Sequence, residues 1–143
     1  MDREMDPQRQ EHRRVHPAAS FRGVQVSNPA GDDLGTIEDV AVDTETGRIV
    51  YAVLSFGGFL GMGDKLFAVP WDAMELTIDN GGTFILDVSE ERLKEAPGFD
   101  KDHWPDMGDP QWGQQVHAHY GRKPYWEQSG ERHPGGRDVP PRA

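Results

Sequence analysis

The stretch RIVYAVLSF, Arg48 to Phe56, is apolar on both faces of any strand it forms. Side chains alternate along a strand, so Ile49, Tyr51 and Val53 share one face, and Val50, Ala52, Leu54 and Phe56 share the other. A small β-domain has one interior, so the second face must be covered from outside it. Leaving it wet would forfeit about 1.5–3 kcal/mol for each large side chain, against a total stability of roughly 5–15 kcal/mol. The sequence leaves open which set turns outward. The cover is expected from a second copy, from an aromatic segment further along the chain, or from both. Twofold dimers are the commonest such solution, so a homodimer is expected.

Around this strand the chain reads as short β-runs separated by Gly, Asn and Asp turns. GVQV is a short strand and NPAGDD a turn. In LGTIEDVAVD the apolar positions slip from Leu34 and Ile37 to Val40 and Val42, which predicts a β-bulge near Glu38–Asp39. DTETG turns the chain into Arg48–Phe56, and GGFLGMGD reads as a flexible connection to KLFAVPW. Pro70 cannot donate to a ladder and ends that strand, leaving Trp71 to cover the end of the domain. MELTID and TFILDV flank NGG, a strong hairpin signal. SEERLKEA then reads as a two-turn helix, with Ser89 as N-cap, two glutamates in its first turn and Pro97 beyond its end. The expected fold class is mainly β: a small barrel of about six short strands, a short helix after it, and an irregular aromatic C-terminal extension.

The boundaries follow composition. Residues 1–20 lack periodicity and read as a disordered arm, and 21–99 form the barrel domain. Residues 100–126 belong to an extension that docks on the barrel or on a dimer partner, and 127–143 read as a disordered tail. The extension is polar, yet Phe99 to Trp126 holds six of the chain's thirteen aromatics. Disordered segments are usually poor in such residues, so docking is expected. The expected interaction surface is Tyr51, Val53, Leu54, Phe56, Phe59, Trp71, Trp104 and Trp112.

Charge constrains partners. Residues 21–99 carry fourteen acids against five bases, net −9. Such a domain repels phosphate backbones, so no nucleic-acid partner is expected. The start of the chain has no apolar core of a Sec-type signal peptide, and no run approaches the roughly 18 apolar residues of a membrane span. No membrane insertion is expected, and a cytoplasmic location is. The chain has no cysteine, which excludes disulfides, thiolate metal sites and cysteine nucleophiles.

Chemistry-bearing residues are few. The glycine loop Gly57–Gly63 lacks a phosphate-binding pattern, and Asp64 after it would repel phosphate. His117 and His119, two apart, would share a face on a strand, and His103 or Asp106 would complete a three-ligand metal site. That spacing is common by chance, so no metal is expected. Asp72 and Glu75 flank the Pro-Trp corner as a carboxylate pair, but exposed turn acids are the commoner case. Asp43 and Glu45 lack the pattern of a calcium loop.

The order of these elements resembles the PRC-barrel family, whose domains occur in a cytoplasmic subunit of photosynthetic reaction centres and in ribosome-maturation factors. The likeness is carried by GVQVSNPAGDDLGTIEDVAVDTETGRIVYAVLSF, GMGDKLFAVPWDAM and LDVSEERLKEAPGF, over Phe21 to Phe99. It is nearest to the stand-alone bacterial members with an aromatic extension, here DKDHWPDM and QWG. The resemblance implies a β-barrel interaction module with no general catalytic residues and no cofactor. It implies a non-enzymatic adaptor that self-associates or docks a protein. The alternatives it offers are an accessory of photosynthetic or electron-transfer membrane complexes, and an RNA-processing factor.

Overall fold

The computed structural model describes residues 15–57, 64–77 and 82–128. A 3-10 turn at Ala18–Phe21 leads into β1 (Gln25–Ser27), β2 (Asp33–Asp43), β3 (Arg48–Gly57) and β4 (Asp64–Pro70). After a 3-10 turn at Trp71–Ala73 come β5 (Met74–Thr77), β6 (Thr83–Leu86), α1 (Glu90–Lys94) and β7 (Gly98–Phe99). Helices α2 (Pro110–His119) and α3 (Tyr125–Gln128) follow. The strands form one sheet in the order β5-β6-β1-β2-β3-β4-β7. Neighbours are antiparallel except β1 and β6, which are parallel. Within the described residues β5 and β7 end the sheet without pairing to each other, so it curls around its core without closing. The mainly β fold expected from the sequence is present, with β7 as a short seventh strand.

Four local signals have structural counterparts, while the NGG turn itself falls partly outside the described residues. Glu38 is the extra residue of β2: Ile37 pairs with Leu54, and Asp39 with Val53. The carbonyl of this bulged residue is not left bare, because Arg22 Nε donates to it at 3.1 Å. Pro70 ends β4, and Trp71 packs edge-on against Phe21 and Phe84 at centroid distances of 5.6 and 5.5 Å. The expected hairpin is β5–β6. Ser89 Oγ accepts from the Arg92 N–H and caps α1.

Two apolar clusters lie on opposite sides of β3. The inner one joins Val26, Leu34, Ile37, Ala52, Leu54, Phe67, Val69, Phe84 and Leu86 with Leu93 and Ala96 of the α1 region. The outer one joins Val50, Tyr51, Val53, Leu66, Ala68 and Phe99 with Val116 of α2. The Tyr51/Val53 face is therefore the one that turns outward. Val50 goes with it rather than with Leu54 and Phe56, correcting strict alternation. A second bulge explains this: Ala41 pairs with Tyr51 and Val42 with Ile49, so Val50 is skipped in the β2 register and the pleat slips.

The extension also differs from its expected irregular form, because α2 runs for ten residues. Asp109 Oδ1 accepts from the Gln111 N–H at 3.1 Å and Pro110 occupies the first turn, a strong helix start. The buried positions Gly113, Val116 and His117 recur at helical spacing, so one stripe faces the sheet.

Candidate functional site: the seam between sheet and extension

The outward face of β3 and β4 is covered by the chain's own extension. Trp112 meets Tyr51 edge-on at 5.3 Å, and Tyr125 meets it nearly perpendicular at 5.8 Å. Gly113 permits the approach: a Cβ there would lie 2.9 Å from both Tyr51 Oη and Trp126. Two polar clasps fix the far end of α2. His119 Nε2 donates to the Arg92 carbonyl at 2.8 Å, while Arg92 Nη2 donates to the His119 carbonyl at 3.0 Å. Arg122 Nη2 bridges to Asp72 Oδ2 at 3.1 Å. The half-exposed ion pair is worth about 0–1 kcal/mol and each hydrogen bond about 0.5–1.5 kcal/mol, so apolar burial holds the extension and the clasps set its register.

His117 sits inside this interface, 1% exposed. Its Nδ1–H donates to the Gly113 carbonyl at 2.8 Å, while Nε2 is buried with no partner among the described residues. Burial pushes its pKa below the ordinary imidazole value, outweighing the Gly113 bond and Asp72, which act upward; Arg122 adds a smaller downward push. Burial also holds the phenols of Tyr51 and Tyr120 well above the ordinary tyrosine range. A depressed folded pKa means that the unfolded chain takes up the proton first. Stability is therefore expected to be intact above about pH 6.5 and to fall as the pH drops below that value. The slope is at most about 1.4 kcal/mol per pH unit, one proton's worth. Urea titrations from about pH 7.5 to about 5 span that window, and His117→Phe should flatten the profile. An equal slope in that variant would assign the titration to another group.

The residues singled out in the sequence scatter over this framework. Tyr51 and Val53 are sealed under the extension, Leu54 points into the inner core with Phe56 packed against that core, and Trp71 closes one end of it. Trp112 lies half-buried on Tyr51. Trp104 is 44% exposed, tilted on Phe99 at 5.2 Å with its indole N–H on the Lys101 carbonyl. Phe59 lies outside the described residues, as does most of the glycine loop. His117 and His119 occupy a helix, where two residues turn roughly 200°, and they face different neighbours. His103 is exposed and lies 3.9 Å from Asp100. The three imidazoles do not converge. Asp72 is engaged by Arg122, and Glu75 stands exposed on β5.

Two hollows open along the seam, each walled by both barrel and extension. The larger, about 550 Å³, lies between Ala73, Leu86 to Ser89 and Arg92 on one side and His119, Tyr120 and Arg122 on the other. The smaller, about 200 Å³, lies between the β2–β3 hairpin and the extension, and its walls include Ala41, Val42, Tyr51, Met107 and Tyr125. No sequence pattern announces either, because each is assembled from segments far apart in the chain.

A curled sheet with a capping helix after β6 and a Pro-Trp corner after β4 defines a class of small β-barrel. The family model of the PRC-barrel domain matches residues 14–93, over half of the sequence, and this chain belongs to that family. A curated relative, an uncharacterized protein of Deinococcus radiodurans, is 28% identical over 72 residues. That alignment covers 50% of this chain and 25% of the relative. Among the described residues no helix is long and apolar enough to cross a membrane.

Proposed function

We propose that this PRC-barrel chain is a non-catalytic interaction module that docks a protein partner along the seam between barrel and extension. The observation that carries the reading is the composite build of both seam hollows, which exist only while the extension is docked. Exposed apolar Val42, 47% accessible, stands in the wall of the smaller one, as an anchoring residue would. Three polar side chains around the larger one are engaged in clasping: Arg92 with His119, and Arg122 with Asp72. Net charge −9 over residues 21–99 favours basic partners over nucleic acid. Self-association draws less support, because the face that called for a second copy is covered within the chain.

The test uses the immobilised full chain in native lysate beside three variants of unchanged circular dichroism. Val42→Asp and Asp87→Arg each alter one hollow, and Gln114→Ala lies on the exposed side of α2. A partner retained by wild type and Gln114→Ala but lost with a seam variant is the expected result. Retention by every variant, or recovery of the chain alone, would reject the reading.

A further inference from the structure

The smaller seam pocket has a composition that selects its occupant. Ala41, Val42, Val50 and Met107 give it apolar walls, Tyr51 and Tyr125 give it aromatic ones, and Asp43 stands at it as the lone acid. At about 200 Å³ it falls below the roughly 300–1,000 Å³ of sites for drug-sized ligands. It suits one side chain. Asp43 Oδ1 accepts from the Glu45 N–H at 3.0 Å, and the carboxylate forms no ion pair among the described residues. Burial first, then the fields of Asp43 and Glu45, push the Tyr125 phenol upward, so both carboxylates are felt at that ring.

We infer that this pocket takes the cationic end of a lysine or arginine side chain from a partner protein, its stem against Val42 and Met107 and its charge between Tyr125 and Asp43. The inference rests on the interaction reading above and names the chemistry of the partner. An apolar stem with a cationic head matches walls of this kind: methylenes cover the aliphatic side chains, and the charge meets aromatic ring and carboxylate together. An anionic group would face the Asp43 carboxylate, with side-chain donors in the pocket limited to Thr44 and the tyrosines. The acidic barrel adds long-range attraction for a basic surface.

The probes are N-acetyl-lysine-methylamide, its arginine counterpart, the neutral norleucine analogue and the glutamate analogue. Each is titrated into the isotope-labelled full chain at constant ionic strength. The expected result is saturable amide shifts around Val42, Asp43, Gly108 and Tyr125 for the two cations only, with dissociation constants on the order of millimolar. Asp43→Asn keeps the Oδ1 acceptor of the hairpin turn and removes only the charge. It should weaken lysine binding about two- to fivefold, as should Tyr125→Leu, which removes the ring. Equal shifts from norleucine, or no saturable response to either cation, would overturn the assignment. Cation binding unchanged by both substitutions would overturn it too. If a partner is captured through the seam while the analogues fail, the cation assignment falls and the interaction reading stands. If the analogues bind while capture ignores every seam variant, the pocket stands and the interaction reading falls.

Discussion

Replacing Gly35 with alanine is expected to cost about 2–6 kcal/mol, a large part of the roughly 5–15 kcal/mol that holds such a domain. Gly35 lies in β2 with φ +111°, and an added Cβ would stand 2.1 Å from the Ser55 carbonyl oxygen and 3.1 Å from its carbon. Those are backbone atoms of the neighbouring strand and have no rotamer to yield. Retreat is blocked as well, because β2 is held by β1 on its other edge, where Val26 pairs with Gly35 itself. The strand must break one ladder or the other. Gly47 separates the two contributions: its φ is +77°, yet nothing lies within 4 Å of an added Cβ. Gly47→Ala should therefore cost only the backbone term, about 1–2 kcal/mol. Urea unfolding of both variants measures the difference. Equal losses would show that the close approach to Ser55 is not what fixes glycine at position 35.

The sequence was legible where a local rule had one physical outcome. The slip from Ile37 to Val40 located the bulge at Glu38, because β2 has one apolar face and a shifted register shows in its pattern. Ser89 announced α1, and Pro70 with Trp71 announced the end of β4. The same logic fails at Val50. A strand apolar on both faces hides a slip, since each residue suits either side, and only pairing with Ala41 and Val42 reveals it. Helix α2 was obscured for a different reason. PQWGQQVHAH has a central glycine and few aliphatic residues, so its amphipathic stripe is faint. The Asp109–Pro110 start is present in the sequence, but the two-residue spacing of His117 and His119 equally fits a strand. The aromatic content of the extension marks the residues, Trp112 and Tyr125, that pack on Tyr51. The pockets it forms were beyond reach, because the walls of the smaller one come from residues 41–51 and 107–125, brought together by tertiary contact alone.

Deleting residues 100–143 should leave a chain that keeps its β-sheet signal, melts well below the full chain and associates with itself. The inner cluster is built wholly from residues between Val26 and Ala96, all ahead of the deleted segment, so the curled sheet retains its core. The outer cluster loses Val116 and the packing of Trp112, Met107 and Tyr125, which uncovers Tyr51, Val53, Leu66 and Ala68 on two adjacent strands. At about 1.5–3 kcal/mol for each large side chain returned to water, the loss is several kcal/mol. A contiguous apolar patch on neighbouring strands also invites a second copy to cover it. Gly113→Val reaches the same state without removing a residue, because its side chain would collide with Tyr51 Oη and Trp126. Both variants should abolish capture of a partner at the seam, since both hollows lose a wall. A peptide spanning residues 100–128, added to the truncated chain, should restore monomer and melting temperature together. Scanning calorimetry and sedimentation velocity read the two quantities directly. A truncated chain as stable and as monomeric as the full one would mean that the extension covers nothing that matters, and the seam would lose its standing as a built surface.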